Sequence, residues 1–363
     1  MEPIMRISIA MATYKGERFL REQLDSIARQ TLPPFELVIT DDSPDSGTCD
    51  VALEFARRVS FPVRVYRNER RLGIHANFFR AISLCEGDCV AFCDQDDVWM
   101  DNKLERVAQE FADPDVLLVV HGVKIVDGDL RPRDDNTASH WSHHGRYAPL
   151  TTNPWYVLFG MSAVVRRSIY DYIDWRDRPE HPIDPGYPMS HDTWAWFVAT
   201  SLGNVVAIDD PLVLYRQHDD QTCGAAPDRG VGQKIQMMRV AGETHYRRMA
   251  LAASRRADKL RHVSRDAPTP VRERAARAAV YYRRLGDRLQ RRAGLYSAAT
   301  STVRRAGTVL RLLVSGAYRP LDQGGLGPRA LLKDVYATVF RVSIERVHGP
   351  AATGVSAAGR TRR

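Results

Sequence analysis

Apolar and polar residues follow each other in blocks that predict strands and helices in turn over the first part of the chain. Ile4 to Ala12 is a continuous run of apolar and small residues, which is typical of a strand buried on both faces. Leu20, Leu24 and Ile27 then recur at helical spacing, and Pro33-Pro34 is expected to stop that helix. The chain therefore begins with a predicted strand and helix.

The same alternation continues for three more predicted strands. They are Leu37–Thr40, Val63–Tyr66 and Asp88–Cys93, and a helix from about Ala76 to Leu84 precedes the last of them. Repetition of strand, helix and strand predicts a mostly parallel sheet with right-handed crossovers. The expected fold class is α/β.

Polar clusters follow three of these strands. They are Thr13-Tyr14, Asp41-Asp42-Ser43 and Asp94-Gln95-Asp96-Asp97. All three are expected at the carboxyl edge of the sheet, where open α/β sheets bind their ligands. Three carboxylates within four residues repel each other unless a cation compensates them, and Mg²⁺ or Mn²⁺ prefers such oxygen ligands. A solvated acidic loop is the alternative, and the position after a buried strand favours the cation site.

Together these clusters have the chemistry of a nucleotide pocket. A tyrosine ring can stack on a base, an aspartate can accept hydrogen bonds from a base or ribose, and a cation can hold a diphosphate. Neither G-x-G-x-x-G nor G-x-x-x-x-G-K follows any predicted strand. The phosphates are therefore expected to be neutralised by metal and basic side chains.

Size and composition describe an ordinary globular chain. Its 363 residues, 44% hydrophobic and 26% charged, suffice for about two domains. The longest apolar stretches, around Val116–Val120 and Trp155–Val165, are shorter than the roughly 18 residues that span a bilayer, and no basic leader precedes the first strand. We therefore expect no transmembrane helix and a cytoplasmic location. Cys85, Cys89 and Cys93 are interpreted as buried small hydrophobes, since the chain has no C-x-x-C pair.

Charge divides the chain into two regions. Residues 1–228 hold 23 Lys and Arg against 36 Asp and Glu, a balance of −13, whereas residues 229–363 hold 29 against 8, a balance of +21. The segment Ala225–Gly230, rich in small residues with proline and glycine, marks the boundary. We predict a catalytic domain over 1–228, an arginine-rich helical region over 229–348 and a flexible basic tail over 349–363.

The basic region is predicted to be helical from Val231 to about Leu313. Within it an apolar seam steps by three and four residues along Val271, Ala275, Ala278, Tyr282, Leu285 and Leu289. Such helices can pack as a hairpin on the first region, or they can lie on an anionic membrane surface. The two arrangements do not exclude each other. Nucleic-acid binding is not expected, because aromatic interleaving and any known module are lacking.

Residues 127–190 are the hardest part of the chain to interpret. His140, His143 and His144 have a spacing that a zinc site would allow. No cysteine or second matching pair accompanies them, so a polar loop facing an acceptor is preferred.

The ordered motifs over about residues 4–225 resemble the inverting family 2 glycosyltransferases of GT-A fold. The resemblance is closest to bacterial rhamnosyltransferase-like members that assemble surface polysaccharides. It implies a nucleotide-sugar donor, a metal held by a D-x-D element and inversion at the anomeric carbon. The residues that carry it are Ile7–Tyr14, Asp41-Asp42-Ser43, Asn68, Leu72-Gly73, Cys93–Trp99 and Lys103-Leu104-Glu105.

The resemblance also implies roles for single residues on the donor side. Thr13, Tyr14 and Asp42 would contact the nucleoside, with Asp41 as their neighbour. Asp94 would face the ribose or the sugar. These five form the predicted nucleotide-binding set.

The remaining implied roles concern metal, base and diphosphate. Asp96 would coordinate the metal, and Asp97 would hold a sugar hydroxyl or steady the loop. Asp192 would be the catalytic base, although an acid there also suits a helix first turn, where it is worth about 0.3–1 kcal/mol. Arg216 and His218 would close over the diphosphate.

The expected protein is thus an inverting glycosyltransferase dependent on Mn²⁺ or Mg²⁺. A dTDP- or UDP-sugar is favoured as donor, with rhamnose as one candidate sugar. The expected acceptor is a lipid-linked saccharide. The protein is expected to act at the inner face of the plasma membrane, where it would make peripheral contact with anionic lipids. Two alternatives stay open: a nucleotidyltransferase acting on a sugar phosphate, and a non-catalytic nucleotide-sugar-binding or scaffold protein.

Overall fold

The architecture was obtained as a computed structural model. It describes residues 5–133, 144–181, 186–219, 221, 242–297, 299–320 and 323–340. The predicted boundary near Ala225–Gly230, His140, His143 and the tail 349–363 lie outside the described residues.

Nine strands of the described chain form one sheet. In chain order they are β1 Ile7–Thr13, β2 Glu36–Asp41, β3 Val63–Arg67, β4 Cys89–Cys93, β5 Val98–Trp99, β6 Val116–Val126, β7 Gly145–Tyr147, β8 Ala163–Arg166 and β9 Asn204–Arg216. Their order across the sheet is β3-β2-β1-β4-β8-β6-β9-β5, and β7 pairs with β9. The first four in this order are mutually parallel, whereas β8 runs antiparallel to both of its neighbours.

Helices connect and cover the strands. They are α1 Leu20–Ala28, α2 Gly47–Ala56, α3 Ile74–Leu84, α4 Lys103–Glu110, α5 Ile169–Tyr172, α6 His191–Leu202, α7 Glu243–Leu260, α8 Thr269–Ala293, α9 Thr302–Val314 and α10 Pro328–Val339. None of the described helices is long and apolar enough to cross a bilayer.

The predicted α/β class is confirmed, and all four predicted strands are present. α1 ends at Ala28, before the prolines that were expected to stop it. The reason is a competing set of contacts: the Gln30 side chain donates to the Met100 carbonyl and accepts the Leu104 N–H. These bonds draw the chain out of the helix towards the segment after β5.

Both faces of the sheet are buried. On one face Ile7, Ile9 and Met11 of β1 belong to the same apolar cluster as α1, while Ala10 belongs to the cluster on the other face with α3. This explains why β1 is a continuous apolar run rather than an alternating one. Cys85, Cys89 and Cys93 are buried, as predicted.

The carboxyl-terminal helices pack on the sheet region. The predicted seam of α8 is buried, and Tyr282 meets Phe197 of α6 edge to face at 5.6 Å. Arg256 of α7 is buried and donates to the Pro154 carbonyl at 2.7 Å. The packed hairpin, one of the two predicted arrangements, is therefore confirmed.

The helical region is interrupted, so the prediction of helix from Val231 to Leu313 is wrong in its continuity. Among the described residues, breaks occupy 261–268, 297 and 299–301, and Pro268 precedes the first turn of α8. A proline is suited to a helix start and not to an interior turn, since it has no N–H and clashes with the preceding turn.

Candidate functional site

The first two polar clusters meet where β1 and β2 end. Thr13 pairs in register with Asp41, and the Asp42 N–H donates to the Thr13 carbonyl at 2.9 Å. Asp41 is fully buried and its Oδ1 accepts the hydroxyls of Thr13 and Ser43, each at 2.7 Å. Thr13 and Asp41 therefore brace the sheet edge from within.

Asp42 and Tyr14 border an open cavity of about 610 Å³. The Asp42 carboxylate accepts the N–H groups of Leu72 and Gly73 at 3.0 and 2.8 Å, which fixes the segment after β3 around it. The Arg71 guanidinium lies 4.0 Å from the centroid of the Tyr14 ring. The cavity is lined by Tyr14, Asp42, Ser43, Pro44, Arg67, Asn68, Glu69, Arg70 and Arg71.

Gln95 connects this cavity to the acidic loop after β4. Its side-chain oxygen accepts the Tyr14 N–H at 2.9 Å, and its amide nitrogen donates to the Tyr14 carbonyl at 3.1 Å. A Cβ at Gly16 would come within 2.5 Å of the Gln95 oxygen, so the turn closes tightly on it. No role was predicted for Gln95. Its amide, which can donate and accept hydrogen bonds, differs from the carboxylates around it in the sequence, and this difference is the feature that could have identified it.

Asp94 lies near two other carboxylates. Withdrawal from bulk water, then repulsion from Asp96 and Asp192, raises the pKa of Asp94 to about 7. The structure therefore brings together the end of the β4 loop and the start of α6, which are almost one hundred residues apart in the chain.

Asp97 is buried beneath this loop. Its Oδ1 accepts the Arg216 N–H at 3.0 Å, and burial, followed by the charges of Asp96 and Asp94, raises its pKa well above the usual range. Of the two roles predicted for Asp97, these contacts match steadying the loop.

Lys103 supplies a buried amine under the same loop. Its Nζ donates to the Met161 carbonyl at 2.8 Å and lies 3.5 Å from the centroid of the Trp99 ring. Burial lowers its pKa to about 7, against the opposing charges of neighbouring groups that include Asp97 and Asp94. Lys103 was predicted only as part of a motif, and its position near the carboxylates was not foreseen.

Arg216 is also buried and faces the protein. Its Nε donates to the Asp96 carbonyl at 2.7 Å, and its two terminal nitrogens bond to the Gly128 carbonyl and to the Glu22 carboxylate. These contacts differ from the diphosphate contact predicted for Arg216, because every guanidinium nitrogen is directed at a protein acceptor. The structure gives Arg216 the position of a brace for the acidic loop.

His218 and Asp96 form the candidate metal-binding pair. The His218 Nε2 lies 2.9 Å from Asp96 Oδ2, and Phe19 packs against the imidazole at 4.7 Å between centroids. No group of three His, Cys, Asp or Glu side chains within the described residues has the spacing of a metal cage. A carboxylate and an imidazole both suit Mn²⁺, and metals at phosphate sites take further ligands from substrate and water. The pair fits such a partial site.

Asp192 lies in the first turn of α6. Its Oδ1 accepts the Thr193 N–H at 2.6 Å and the Ser190 hydroxyl. The helix-stabilising interaction considered as an alternative is thus present. It is compatible with a catalytic role, because the same carboxylate is close enough to Asp94 to raise its pKa.

His191, beside Asp192, is a buried imidazole. It stacks on Phe78 at 3.9 Å and meets Phe92 edge to face at 4.9 Å. Among the described residues neither ring nitrogen has a hydrogen-bond partner, and burial lowers the pKa of His191 to about 4.

This burial predicts acid sensitivity. Between pH 6.5 and 4 the unfolded chain binds a proton at His191 and the folded chain does not, so the free energy of unfolding should decrease by about 3 kcal/mol as pH falls. Denaturant titrations of wild type and His191→Phe at several pH values measure this. Buried His121 contributes in the same direction to both proteins, so the variant should show a shallower decrease. Parallel curves would contradict a neutral buried His191.

Comparison with known proteins bears directly on this arrangement. Residues 8–173 match the family model described as Glycosyl transferase family 2. This part of the chain is similar to family 2 glycosyl transferases. Its matched span runs from β1 to just after α5, and so includes the cavity, the acidic loop and the Asp96 side of the metal pair.

Two relatives show the range of similarity. An uncharacterized glycosyltransferase of Nostoc sp. is 26% identical over 219 residues, which are 59% of this chain and 65% of the relative. The UDP-Glc:alpha-D-GlcNAc-diphosphoundecaprenol beta-1,3-glucosyltransferase WfgD of Escherichia coli is 31% identical over 99 residues, 27% of this chain and 38% of the relative. The first relatives are matched over only 59% to 65% of their own length.

A solved structure confirms the GT-A fold. Residues 1–349 of S. aureus TarS, in complex with UDP-GlcNAc, align with a TM-score of 0.51 over 93% of this chain and 90% of that chain. The sequence identity is 17%, so this likeness concerns the fold.

Proposed function

We propose that this protein is an inverting glycosyltransferase that moves a sugar from a nucleotide-diphosphate donor to a saccharide acceptor. The observation that carries the proposal is the meeting, at one sheet edge, of a cavity with an aromatic ring and a carboxylate, an Asp96–His218 pair, and the Asp192 carboxylate. The match of residues 8–173 to the family 2 glycosyl transferase model supports it.

The cavity is assigned to the nucleoside. Tyr14 offers a ring face and Asp42 an acceptor. Three arginines of the lining, Arg67, Arg70 and Arg71, outnumber its two carboxylates, Asp42 and Glu69. The diphosphate is assigned to the neighbouring Asp96–His218 pair, which would contact it through the bound metal. Asp94 is assigned to the ribose or the sugar.

Asp96 and His218 would hold the divalent metal. When bound, Mn²⁺ or Mg²⁺ supplies positive charge that stabilises the leaving diphosphate. The chain's contribution is to hold this pair still, because Asp97 and Arg216 fasten the loop from below and Gln95 fastens it to Tyr14. In this account Arg216 is a positioning residue.

Asp192 is assigned as the general base. The acceptor oxygen attacks the anomeric carbon while the bond from that carbon to the diphosphate oxygen breaks, and the acceptor proton passes to the Asp192 carboxylate. Attack opposite the leaving group inverts the anomeric configuration. One carboxylate suffices, since no glycosyl-enzyme intermediate has to form and be hydrolysed. The Ser190 hydroxyl and Thr193 N–H hold this carboxylate in place.

The donor is proposed to be a UDP- or dTDP-sugar, with rhamnose as one candidate, and the acceptor a lipid-linked saccharide of surface-polysaccharide synthesis. Support for the acceptor comes from WfgD, whose name specifies UDP-Glc and a diphosphoundecaprenol-linked sugar. The match to WfgD covers 99 residues, so the identities of the donor and of the acceptor are to be established by the following experiment.

The test separates the three candidate functions by their products. The protein is incubated with nucleotide sugars, sugar phosphates, nucleoside triphosphates and diphospholipid-linked GlcNAc, and the products are identified by mass spectrometry and NMR. Glycosyl transfer releases a nucleoside diphosphate and forms a glycosidic bond of inverted configuration. Pyrophosphate release without such a bond would establish nucleotidyl transfer, and nucleotide binding without any product would favour the scaffold alternative.

The Tyr14 ring provides a sharper test of the cavity. Tyr14→Ala should weaken nucleoside-diphosphate binding by about tenfold, because aromatic stacking on a base contributes on the order of 1–3 kcal/mol. Tyr14→Phe keeps the ring and should bind within about twofold of wild type on the same reasoning. Calorimetric titration measures both. Equal weakening in the two variants would show that the hydroxyl, and not the ring face, contacts the ligand.

A further inference from the structure

Helix α9 has an exposed apolar stripe. Val303, Leu310, Leu313 and Val314 follow helical spacing along one side, and their side chains are 83%, 59%, 49% and 82% exposed. Leu312 lies on the other side of the helix and is buried. α9 therefore packs inward through one face, and the described chain leaves its apolar face uncovered. Soluble monomeric proteins seldom expose a contiguous apolar patch of this kind.

Helix α10 has a second stripe of the same kind. The buried residues Ala330, Asp334 and Ala337 face the rest of the fold. The exposed apolar residues again recur every three or four positions, and they are Leu332, Val335, Tyr336, Val339 and the adjoining Phe340. Two consecutive helices of one region thus share the same pattern.

The charges around both stripes are positive. α9 contains three arginines and no acidic residue, and Arg304 and Arg311 are exposed. In α10 the acidic residue is Asp334, which is fully buried and bonded to Arg292. The exposed ionic groups of the two helices are therefore cationic, as in amphipathic helices that lie in the interface of anionic bilayers.

We propose that α9 and α10 form a docking surface for an anionic phospholipid bilayer. Exposed side chains of the stripes would enter the boundary between headgroups and acyl chains, and the flanking arginines would pair with lipid phosphates. This surface is distinct from the α8 seam considered in the sequence analysis, which is buried against α7 and α6. The proposal gives the proposed lipid-linked acceptor a place to meet the enzyme, and rests on the proposed function only in that respect.

Charge argues for lipid over a second copy of the chain. Pairing two copies through these faces would bring their arginines together without exposed carboxylates on the same helices to balance them. An anionic bilayer supplies the opposite charge and attracts each Lys or Arg that lies near its surface.

The test is vesicle co-sedimentation of the full chain without any sugar donor. Vesicles of phosphatidylcholine alone are compared with vesicles containing phosphatidylglycerol. Wild type should bind the anionic vesicles, and binding should fall at high salt. Leu310→Ser with Leu313→Ser should weaken it by about tenfold, because the variant removes two apolar side chains that would be buried in the bilayer. Arg304→Gln with Arg311→Gln should weaken it and reduce the salt dependence.

The matched control is Leu53→Ser with Leu251→Ser. These leucines, on α2 and α7, are 48% and 51% exposed, so the control removes similar apolar surface elsewhere. It should bind vesicles as wild type does. Equal binding by the stripe variant, or equal binding of wild type to neutral vesicles, would overturn the proposal. A stripe variant that turns an oligomer into a monomer and keeps its vesicle binding would also overturn it, in favour of a second copy. Because no donor is present, the outcome is independent of transferase activity.

Discussion

Asp192→Asn should reduce the rate of sugar transfer by about 10³-fold and leave donor affinity unchanged. The asparagine keeps nearly the same shape and can still accept the Thr193 N–H, yet it cannot take the acceptor proton. General bases contribute about 10²–10⁴-fold to rates of this kind, which sets the expected size. The measurements are initial rates of nucleoside-diphosphate release and calorimetric donor binding, each with wild type and variant.

Asp50→Asn is the control for the helix-stabilising role of Asp192. Asp50 is an exposed acid in the first turn of α2 and accepts the Ser46 hydroxyl at 2.8 Å, much as Asp192 accepts that of Ser190. Its replacement should cost only the first-turn contribution of about 0.3–1 kcal/mol and leave the rate unchanged. If Asp192→Asn behaved like Asp50→Asn in both respects, Asp192 would be a structural acid and not the base.

Asp96→Ala should abolish Mn²⁺-dependent nucleotide binding. The variant removes one of the two side chains assigned to the metal and leaves the cavity around Tyr14 and Asp42 in place. We expect the nucleotide affinity in the presence of Mn²⁺ to fall by at least about 10²-fold. Residues that hydrogen-bond to a metal ligand, without binding the metal themselves, typically change metal affinity by about 10- to 100-fold, and a direct ligand should have at least the larger effect. His218→Ala should weaken it by a smaller factor, of order tenfold on the same comparison.

The control for Asp96 is Asp101→Ala. Asp101 is five positions further along, and its exposed carboxylate pairs with Arg29 at 3.3 Å outside the site. Exposed pairs contribute about 0–1 kcal/mol, so this variant should titrate like wild type. Retained Mn²⁺ dependence in Asp96→Ala would show that the metal is held by other groups.

The donor side of the site was predictable because parallel strands end at the same edge. Three strands identified from apolar runs placed Thr13, Asp42 and Asp94 side by side, and the structure brings these segments together. The catalytic role proposed for Asp192 followed only from the motif order of the resembling family, since no local pattern distinguishes an acid that stabilises a helix start from a catalytic base. The contacts of Asp192 are compatible with both roles.

What the sequence could not supply was the direction of individual side chains. Arg216 is the last residue of β9 and was expected to contact phosphate, but its guanidinium lies under the loop and donates to the carbonyls of Asp96 and Gly128. The amide of Gln95 and the amine of Lys103 act across pairs of segments distant in the chain. Such contacts depend on packing and leave no periodic signal.

The carboxyl-terminal region illustrates the same limit. The apolar seam of α8 left two arrangements open, packing on the first region or lying on a membrane, and the structure shows it packed. Apolar residues of α9 and α10 have the same spacing and are exposed, because hydrophobic periodicity identifies a face without naming what covers it. The two cases were separable only in the folded chain.

We propose that the sheet edge binds a nucleoside diphosphate through metal and cavity together. Calorimetric titration of the wild-type chain with UDP, dTDP and GDP, each with and without Mn²⁺, measures this binding. We expect one nucleotide to bind with an affinity that rises when Mn²⁺ is present, UDP or dTDP being favoured. Absence of binding by all three, with the metal present, would contradict the assignment of this site.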